Sequence, residues 1–279
     1  MAKPPQLYFT VVRHGETSSN LNHIIQGHID TKLNKTGREQ VEIVGRRLRK
    51  LKFDHIYTSD LSRAKKTADA IAKHHPDTPF TVDMRLRERD MGRLSGKSIQ
   101  DALDLIKEEE ASWDDYGEPE EEFKAQVVGF FDDIIAKHLP KNEAGSSPPN
   151  KRNSHILLVT HGGVINKLVK EHLIMDLGFF VNDYLSMKHK AKNTSVTKFV
   201  VRRVESSNST TDDDDATSIV SSNTTENESN DGDSEKISHR DIERKIRLKG
   251  DVTLWSCVSH LAAQGKRTHG DSQIDDYVH

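Results

Sequence analysis

The chain has 279 residues, of which 33% are hydrophobic and 30% charged, and its formal net charge is −3. A mean hydropathy of −0.72 means that a sizeable part of the chain cannot be core. No segment reaches the ~20 apolar residues of a membrane span, and the first residues lack the apolar region of a signal peptide. The single cysteine, Cys257, excludes an intramolecular disulfide and fits a reducing compartment. We therefore expect a protein of the cytoplasm or nucleus without a membrane partner, in which the four Asn-x-Ser/Thr sequons are unglycosylated: Asn193, Asn208, Asn223 and Asn227.

Residues 206–235 differ in composition from the rest of the chain. They include thirteen Ser or Thr, four Asn, nine Asp or Glu, and no Lys or Arg. So few apolar side chains cannot offset the entropy cost of ordering, and we expect this acidic segment to be disordered. Its nine negative charges leave a net charge of +6 on the remainder, which suits an anionic substrate without indicating nucleic-acid binding. We expect one domain from 6–204 and 250–262, followed by a flexible tail at 263–279.

Strands and helices are predicted to alternate along the chain. In chain order we predict a strand at 7–12, a helix that opens at Thr36-Gly37, a strand at 54–59, a helix at 61–74 capped by Asp60, and a strand at 80–82. A loop at 86–97, helices at 98–110 and 120–139, a loop or linker at 145–153, a strand at 155–160 and a helix through Leu168 and Leu173 follow. The last predicted strands are 196–204, at a sheet edge, and 252–255.

This alternation, with strands that are apolar on both sides, predicts an α/β fold. The architecture is a three-layer sandwich with a mostly parallel central sheet covered by helices on both faces. Ligands bind beyond the carboxyl ends of the strands in such sheets. Two predicted strands end there in unusual residues, Arg13-His14-Gly15 and His161-Gly162-Gly163. We therefore expect the functional site at these two strand ends.

Ordered motifs along the chain extend this pattern. Arg13-His14-Gly15-Glu16-Thr17 is followed by Asn20, Ser59-Asp60-Leu61-Ser62-Arg63-Ala64, Glu88-Arg89-Asp90-Met91-Gly92 and His161-Gly162. In these motifs the chain resembles the histidine phosphatase superfamily, also called the phosphoglycerate mutase-like family, over about residues 6–204, with 252–261 as a returning final segment. The resemblance implies the phosphoglycerate mutase-like fold and phosphoryl transfer from a small phosphorylated substrate through a phosphohistidine. It implies neither a metal nor another cofactor.

The resemblance also implies a role for each motif. His14 is the nucleophile, and its second ring nitrogen must donate to a fixed acceptor so that the attacking nitrogen carries no proton. Glu88, which alone would read as a solvated loop charge, gives and takes the proton, and His161 is a further donor. Glu16 is expected to be a structural anchor. The expected substrate-binding groups are the side chains and amides of Arg13, Asn20, Gln26, Gly27, Arg63 and Gly162.

The residues in these motifs most resemble those of the branch of TIGAR-like and broad-specificity phosphatases. Only 24 residues separate Gly92 from Gly117, where glycolytic mutases carry a long insertion. Such a short segment over the site would leave the phosphoenzyme accessible to water, so we expect a phosphatase. The alternatives are a mutase-type phosphotransferase and a non-catalytic regulatory protein on the same fold. Features whose role stays open are Gly117-Glu118-Pro119 in place of Gly-Glu-Ser, Cys257 in the final segment, a second anion site at Arg89, Arg93 and Lys97, and kinase sites at Thr210 and Thr211.

Overall fold

The computed structural model describes residues 5–139, 153–181, 186–204 and 247–264. The acidic segment expected at 206–235 lies outside these residues, as do residues 265–279 of the expected tail and most of the loop expected at 145–153. Within the described part of the chain, none of the helices is both long enough and apolar enough to cross a bilayer.

The described strands form one seven-stranded sheet in the order β3-β2-β4-β1-β6-β7-β5. They are β1 (Gln6–Arg13), β2 (His55–Thr58), β3 (Phe80–Val82), β4 (Ser154–Thr160), β5 (Phe180–Val181), β6 (Val196–Val204) and β7 (Arg247–Cys257). The pairs β1–β4, β2–β4, β2–β3 and β5–β7 are parallel, and β1–β6 is antiparallel. This topology confirms the predicted α/β fold with a mostly parallel sheet.

The helices follow the predicted apolar spacing closely. They are α1 (Ser18–Leu21), α2 (Lys35–Leu48), α3 (Ser62–Ala72), α4 (Ile99–Glu108), α5 (Glu120–His138) and α6 (Gly162–Ile165), which continues in wider π-helical turns through Asn166–Asp176. Short 3-10 turns occupy Met84–Leu86, Gly92–Leu94, Trp113–Asp115, Ser186–Lys188 and Ser259–Gln264. Helix α2 begins slightly before the predicted Thr36-Gly37, because the Asn34 side chain accepts a hydrogen bond from the Gly37 N–H at 2.7 Å and caps it.

Two apolar cores lie on opposite faces of the sheet. On one face, Phe9 of β1 packs in the same buried cluster as Phe131 of α5 and Leu168 of the π-helical segment. On the other face, Val12 of β1 packs with Val44 of α2 and other residues of α2 and α3. Successive strand residues point to opposite faces, so one apolar strand supplies both cores. The result is the three-layer sandwich expected from the sequence.

A third, smaller cluster connects two loops that carry candidate site residues. It packs the chain beside Gln26-Gly27 against the segment that follows Glu88 and against α4. Its buried members are Ile25, Met91, Leu94, Ala102 and Tyr116. The two loops are therefore held to each other by a core of their own.

The expectation that β6 lies at a sheet edge is wrong. In the structure β6 lies between β1 and β7. The apolar pattern at 252–255 marks only the centre of β7, whose full length of 11 residues covers β6. Strand β5, which pairs with β7, has only two residues and no pattern that the sequence could reveal.

The expectation that Asp60 caps α3 is also wrong. Both carboxylate oxygens of Asp60 accept hydrogen bonds from Arg87, and the bond from Nε is 2.8 Å long. The N-cap residue is Leu61, and the N–H of Ser62 donates instead to Asp30 at 2.6 Å. Two charge-assisted hydrogen bonds from a guanidinium are stronger than one hydrogen bond to a helix N-terminus. Asp60 therefore binds Arg87 and does not cap α3. Both contacts fasten the start of α3 to the loops beside the candidate site.

Candidate active site

The two histidine motifs meet at the carboxyl end of the sheet. Arg13 and Thr160 are register partners in the parallel pair β1–β4, so the next residues, His14 and His161, are also side by side. The N–H of His14 donates to the carbonyl oxygen of Thr160 at 2.9 Å. The two imidazole rings are buried, and their centroids are 5.2 Å apart. The structure thus brings together the two strand ends that the sequence singles out.

The ring of His14 is fixed in one tautomer. Its Nδ1 lies 2.8 Å from the carbonyl oxygen of Gly15, which can only accept, so Nδ1 carries the proton of the neutral ring. Burial and the charges of Arg63 and Arg13 hold the pKa of His14 well below its usual value, although the Gly15 contact opposes them. The ring is therefore neutral near pH 7, with an unprotonated Nε2 that has a free electron pair.

The ring of His161 takes the opposite tautomer. The Nε of Arg63 donates to its Nδ1 at 3.2 Å, and a guanidinium can only donate. The proton of the neutral ring is therefore on Nε2, which lies 3.0 Å from the Oγ of Ser59. Burial, and then the charge of Arg63, hold the pKa of His161 well below its usual value. Ser59 begins one of the sequence motifs, but nothing in that motif predicts its contact with His161.

The two predicted phosphate-binding arginines are buried beside these rings. Arg63 is 1% exposed and donates to the carbonyl oxygens of Ile29 and Gly27 at 2.8 and 2.9 Å. Arg13 donates to the carbonyl oxygen of Ala191 at 2.7 Å. Burial lowers the pKa of Arg63 to about 10, against the opposing charge of nearby Glu88, and the side chain remains a cation at neutral pH. The local field is positive, as a bound phosphoryl group requires.

Asn20 is oriented by the first turn of its own helix. Its Oδ1 accepts a hydrogen bond from the N–H of Thr17 at 3.1 Å, which identifies that atom as the oxygen. The other end of the carboxamide is therefore Nδ2, a neutral donor of the kind predicted. The Oε1 of Gln26 accepts from the hydroxyl groups of Thr17 and Thr31, so the donor end of this side chain is its Nε2. Gly27, at φ +47°, has the left-handed conformation that favours glycine and directs its carbonyl oxygen to Arg63.

The carboxylate of Glu88 lies at the start of α6. Its Oε2 accepts from the N–H of Gly163 and its Oε1 from the N–H of Arg89, both at 3.1 Å. The Nε2 of His28 contacts the Glu88 carbonyl oxygen at 2.8 Å. A Cβ atom on Gly163 would come within 2.1 Å of Oε1, so the carboxylate uses the space that glycine leaves. Gly162, the predicted anion contact, is the first residue of the same helix.

Two of the cations considered for a second anion are bonded to protein groups. Arg89 is 3% exposed, and its guanidinium pairs with Asp114 and donates to the Glu118 carbonyl oxygen at 2.8 Å. Arg93 pairs with Glu109 at 2.9 Å. The Glu118 carboxylate accepts from a main-chain N–H at 3.1 Å, which is a structural role. The geometry therefore gives no support to a second anion site at these two arginines.

Glu16 and Cys257 have structural contacts. The Oε1 of Glu16 accepts from Asn34 at 2.7 Å, in keeping with its expected role as an anchor. The sulfur of Cys257 lies 3.2 Å from a guanidinium nitrogen of Arg47 on α2. Burial raises the pKa of the Cys257 thiol, but hydrogen bonds with Ser259 and Arg47 outweigh this effect and hold that pKa below its ordinary value. This contact fastens the final segment to α2.

Comparison with known proteins gives the family. A family model described as the histidine phosphatase superfamily (branch 1) matches residues 9–211, which is more than half of the chain. The chain belongs to the histidine phosphatase superfamily. A broad-specificity phosphatase of Saccharomyces cerevisiae is 31% identical over 208 residues, covering 70% of this chain and 83% of that protein. The fructose-2,6-bisphosphatase TIGAR B of Danio rerio is 31% identical over 227 residues, covering 71% and 88%.

A solved structure agrees with this assignment. The mycobacterial glucosyl-3-phosphoglycerate phosphatase is 25% identical, with a TM-score of 0.54, and the match covers 70% of this chain and 90% of that one. The resemblance predicted from the motifs is therefore confirmed for the family and for the fold. This chain is a phosphatase of small phosphorylated molecules.

Proposed function

We propose that this histidine phosphatase hydrolyses phosphomonoesters of small metabolites by transferring the phosphoryl group first to His14 and then to water. The observation that carries the proposal is the tautomer of His14. A proton on Nδ1, bonded to Gly15, leaves Nε2 as a neutral nucleophile beside the cations Arg13 and Arg63. Phosphoryl transfer needs such a nucleophile together with positive groups around the transferred oxygens.

In the first step, Nε2 of His14 forms a bond to phosphorus while the bond to the ester oxygen breaks. Arg13 and Arg63 hold the phosphoryl oxygens, with the Nδ2 of Asn20 and the amide of Gly162 as neutral donors. The leaving alkoxide takes the proton of the Glu88 carboxyl group, so an alcohol departs. His161 lies against both His14 and Arg63 and keeps the arginine in place through its Nδ1.

In the second step, water attacks the phosphorus atom of phospho-His14. The Glu88 carboxylate takes a proton from this water, the bond to Nε2 breaks, and inorganic phosphate leaves. One carboxyl group serves both steps, because the proton lost in the first is regained in the second. The N–H groups of Arg89 and Gly163 keep its oxygens in place throughout.

Hydrolysis is favoured over a mutase reaction by the surroundings of Glu88. A mutase must retain a product that carries a second anionic group, and a cation has to bind that group. The two arginines that follow Glu88, Arg89 and Arg93, are instead paired with carboxylates of the protein. The names of two relatives, a broad-specificity phosphatase and a fructose-2,6-bisphosphatase, support the same choice.

The nucleophile is tested by replacing His14. We expect His14→Ala to fold and to lose nearly all turnover of a panel of phosphorylated metabolites, assayed as free phosphate without added metal. Acid-labile label trapped on the wild type from a labelled substrate should be absent from the variant. The control is His155→Gln. His155 is a half-buried histidine away from these groups, with its Nε2 bonded to Thr10, and this variant should keep turnover and label. Phosphate release by His14→Ala at the wild-type rate would contradict the mechanism.

A further inference from the structure

Asn193 lies shortly before β6. It contacts His14, the proposed nucleophile, although the two residues are far apart in the sequence. Its side chain is 6% exposed, so this sequon is buried within the fold. The Nδ2 atom lies 3.0 Å from the carbonyl oxygen of His14 and 3.3 Å from the Oδ1 of Asn20. One buried amide thus contacts both the nucleophilic residue and a phosphoryl-binding residue of the proposed mechanism.

The chemistry of the three groups allows one assignment of protons. The His14 partner is a main-chain carbonyl, and the Asn20 partner is identified as oxygen because the N–H of Thr17 donates to it. An Nδ2 group carries two hydrogens. Each of the two oxygens therefore receives one hydrogen, and both donors of Asn193 are used.

We propose that Asn193 is a positioning residue that fixes the direction of the Asn20 carboxamide relative to His14. One of its N–H bonds holds the main chain of the nucleophile, and the other holds the oxygen end of Asn20. The nitrogen end of Asn20 then donates to a phosphoryl oxygen that moves as phosphorus transfers to His14. This inference rests on the proposed function, because it requires the phosphoryl group to be bound at His14.

Removing Asn193 should change the orientation of the Asn20 side chain more than it changes the main chain of His14. The carbonyl oxygen of His14 also accepts from the N–H of Thr194 at 3.2 Å, so it stays bonded when Asn193 is removed. The Oδ1 of Asn20 keeps its contacts with the N–H and the hydroxyl group of Thr17, at 3.1 and 3.0 Å. Removing Asn193 therefore leaves the Asn20 carboxamide held by Thr17 alone, while the main chain of His14 keeps its bond from Thr194.

Two substitutions separate donation from packing. Asn193→Ala removes both donors and some volume, whereas Asn193→Asp keeps the shape but places a carboxylate oxygen, in the position of Nδ2, against two other oxygens. We expect the alanine variant to lose about tenfold in kcat/KM on nitrophenyl phosphate, by analogy with the ~10²–10³-fold loss of an oxyanion donor. The aspartate variant should lose more than the alanine variant. A residue that only filled space would give the reverse order.

A double-mutant cycle tests whether Asn193 acts through Asn20. We expect the pair Asn20→Ala with Asn193→Ala to lose no more than about twofold beyond Asn20→Ala alone, both in kcat/KM and in the inhibition constant of orthovanadate. Gln40→Ala is the matched control. Gln40 is also a buried amide that holds the nucleophile loop, through the N–H of Glu16 at 2.9 Å, but it has no hydrogen bond to Asn20. Its effect should add in full to that of Asn20→Ala.

The outcomes distinguish this inference from the proposed function. Additive losses in the Asn20–Asn193 cycle, or an aspartate variant that is milder than the alanine variant, would overturn the positioning role and leave the phosphohistidine mechanism standing. An Asn20→Ala variant with unchanged turnover and vanadate binding would also overturn it. The mechanism itself fails only if His14→Ala still turns over.

Discussion

At the scale of single residues, the two groups proposed to carry the chemistry are held by main-chain atoms. The Gly15 carbonyl oxygen fixes the proton of His14, and two main-chain N–H groups fix the oxygens of Glu88. Main-chain partners cannot change rotamer, so both groups are aligned before a substrate arrives. Such preorganisation is what makes electrostatic and nucleophilic contributions effective in an active site.

The proton-transfer role of Glu88 predicts a dependence on the leaving group. Glu88→Gln keeps the shape and one acceptor but cannot give or take a proton, and general acid–base catalysis is worth about 10²–10⁴-fold. An alkyl phosphate leaves as a strongly basic alkoxide and needs the proton, whereas a nitrophenyl phosphate hardly does. We expect the variant to lose much more kcat/KM on sugar or glycerate phosphates than on the aryl ester, while phosphorylation of His14 limits the rate.

A second carboxyl group of the nucleophile loop provides the control for this measurement. Glu16 is buried and bonded to Asn34, and Glu16→Gln should affect alkyl and aryl substrates equally. Equal losses in Glu88→Gln, with phosphorylation shown to be rate-limiting, would remove Glu88 from the role of leaving-group acid. A selective loss in Glu16→Gln would transfer that role to Glu16.

At the scale of elements, the start of α6 holds the side chain of Glu88, the proposed general acid. Gly163 both donates its N–H to Glu88 and leaves the space that the carboxylate fills. The glycine is needed because Glu88 lies so close to it and not because of its backbone conformation, since Gly163 has no positive φ. The strand β4, the helix start and the Glu88 loop therefore form one functional unit.

Gly163→Ala should impair catalysis without unfolding the protein. Its new Cβ would lie 2.1 Å from Oε1 of Glu88, so the carboxylate must move. We expect a loss of at least tenfold in kcat/KM on alkyl phosphates and a smaller loss on nitrophenyl phosphate, following the pattern of Glu88→Gln. Gly129→Ala is the matched control, because it lies in α5 with no atom near its added Cβ. That change should keep activity and stabilise the fold by about 0.5–1 kcal/mol; equal effects of the two substitutions would refute this account.

The elements also show how far sequence patterns reach. Strands such as β1 and β4 and the helix α5 were predictable because their apolar periodicity is local, and the motifs at the strand ends located His14 and His161. The partner of Asp60 was not predictable, because Arg87 competes for it from another loop. The contact of Asn193 with Asn20 joins residues 173 positions apart, and no local pattern announces it.

At the scale of the whole molecule, two buried or half-buried histidines at the opposite end of the sheet should make stability depend on pH. Burial lowers the pKa of both His55, at the start of β2, and His155, near the start of β4, to about 4. In the unfolded chain these groups titrate near 6.5 and bind protons that the folded state excludes. Their contribution to the free energy of unfolding is therefore complete above about pH 6.5, and it is lost as the pH falls toward 4.

We expect the free energy of unfolding to fall between pH 7 and pH 5, by about 1 kcal/mol for each of these two groups after allowance for their partial exposure. Urea titrations at a series of pH values measure this slope. His55→Gln and His155→Gln should each make the slope shallower, because glutamine does not titrate in this range. An unchanged slope in both variants would show that other groups cause the acid sensitivity.

The connection between β6 and β7 offers a test of the expected domain boundary. These strands are neighbours in the sheet, and their contacts run in opposite directions, since Thr197 bonds Ser256 and Val200 lies beside Gly250. A short link can therefore join them. Deletion of residues 206–235, with a short linker in their place, should keep turnover within a few-fold. A scrambled segment of the same length is the control, and a folded deletion without activity would assign the segment a part in the site.

The position of β1 in the sheet has a consequence for the growing polypeptide. Its hydrogen-bonded neighbours are β4, which begins at Ser154, and β6, which begins at Val196. At a synthesis rate of about 5–20 residues per second, this apolar strand waits unpaired for on the order of ten seconds after it leaves the ribosome. It is therefore the segment that a chaperone acting during translation would engage. A nascent chain that ends before Thr194 contains His14 but lacks the main-chain bond from the Thr194 N–H to the His14 carbonyl oxygen, so phosphatase activity should appear only late in synthesis.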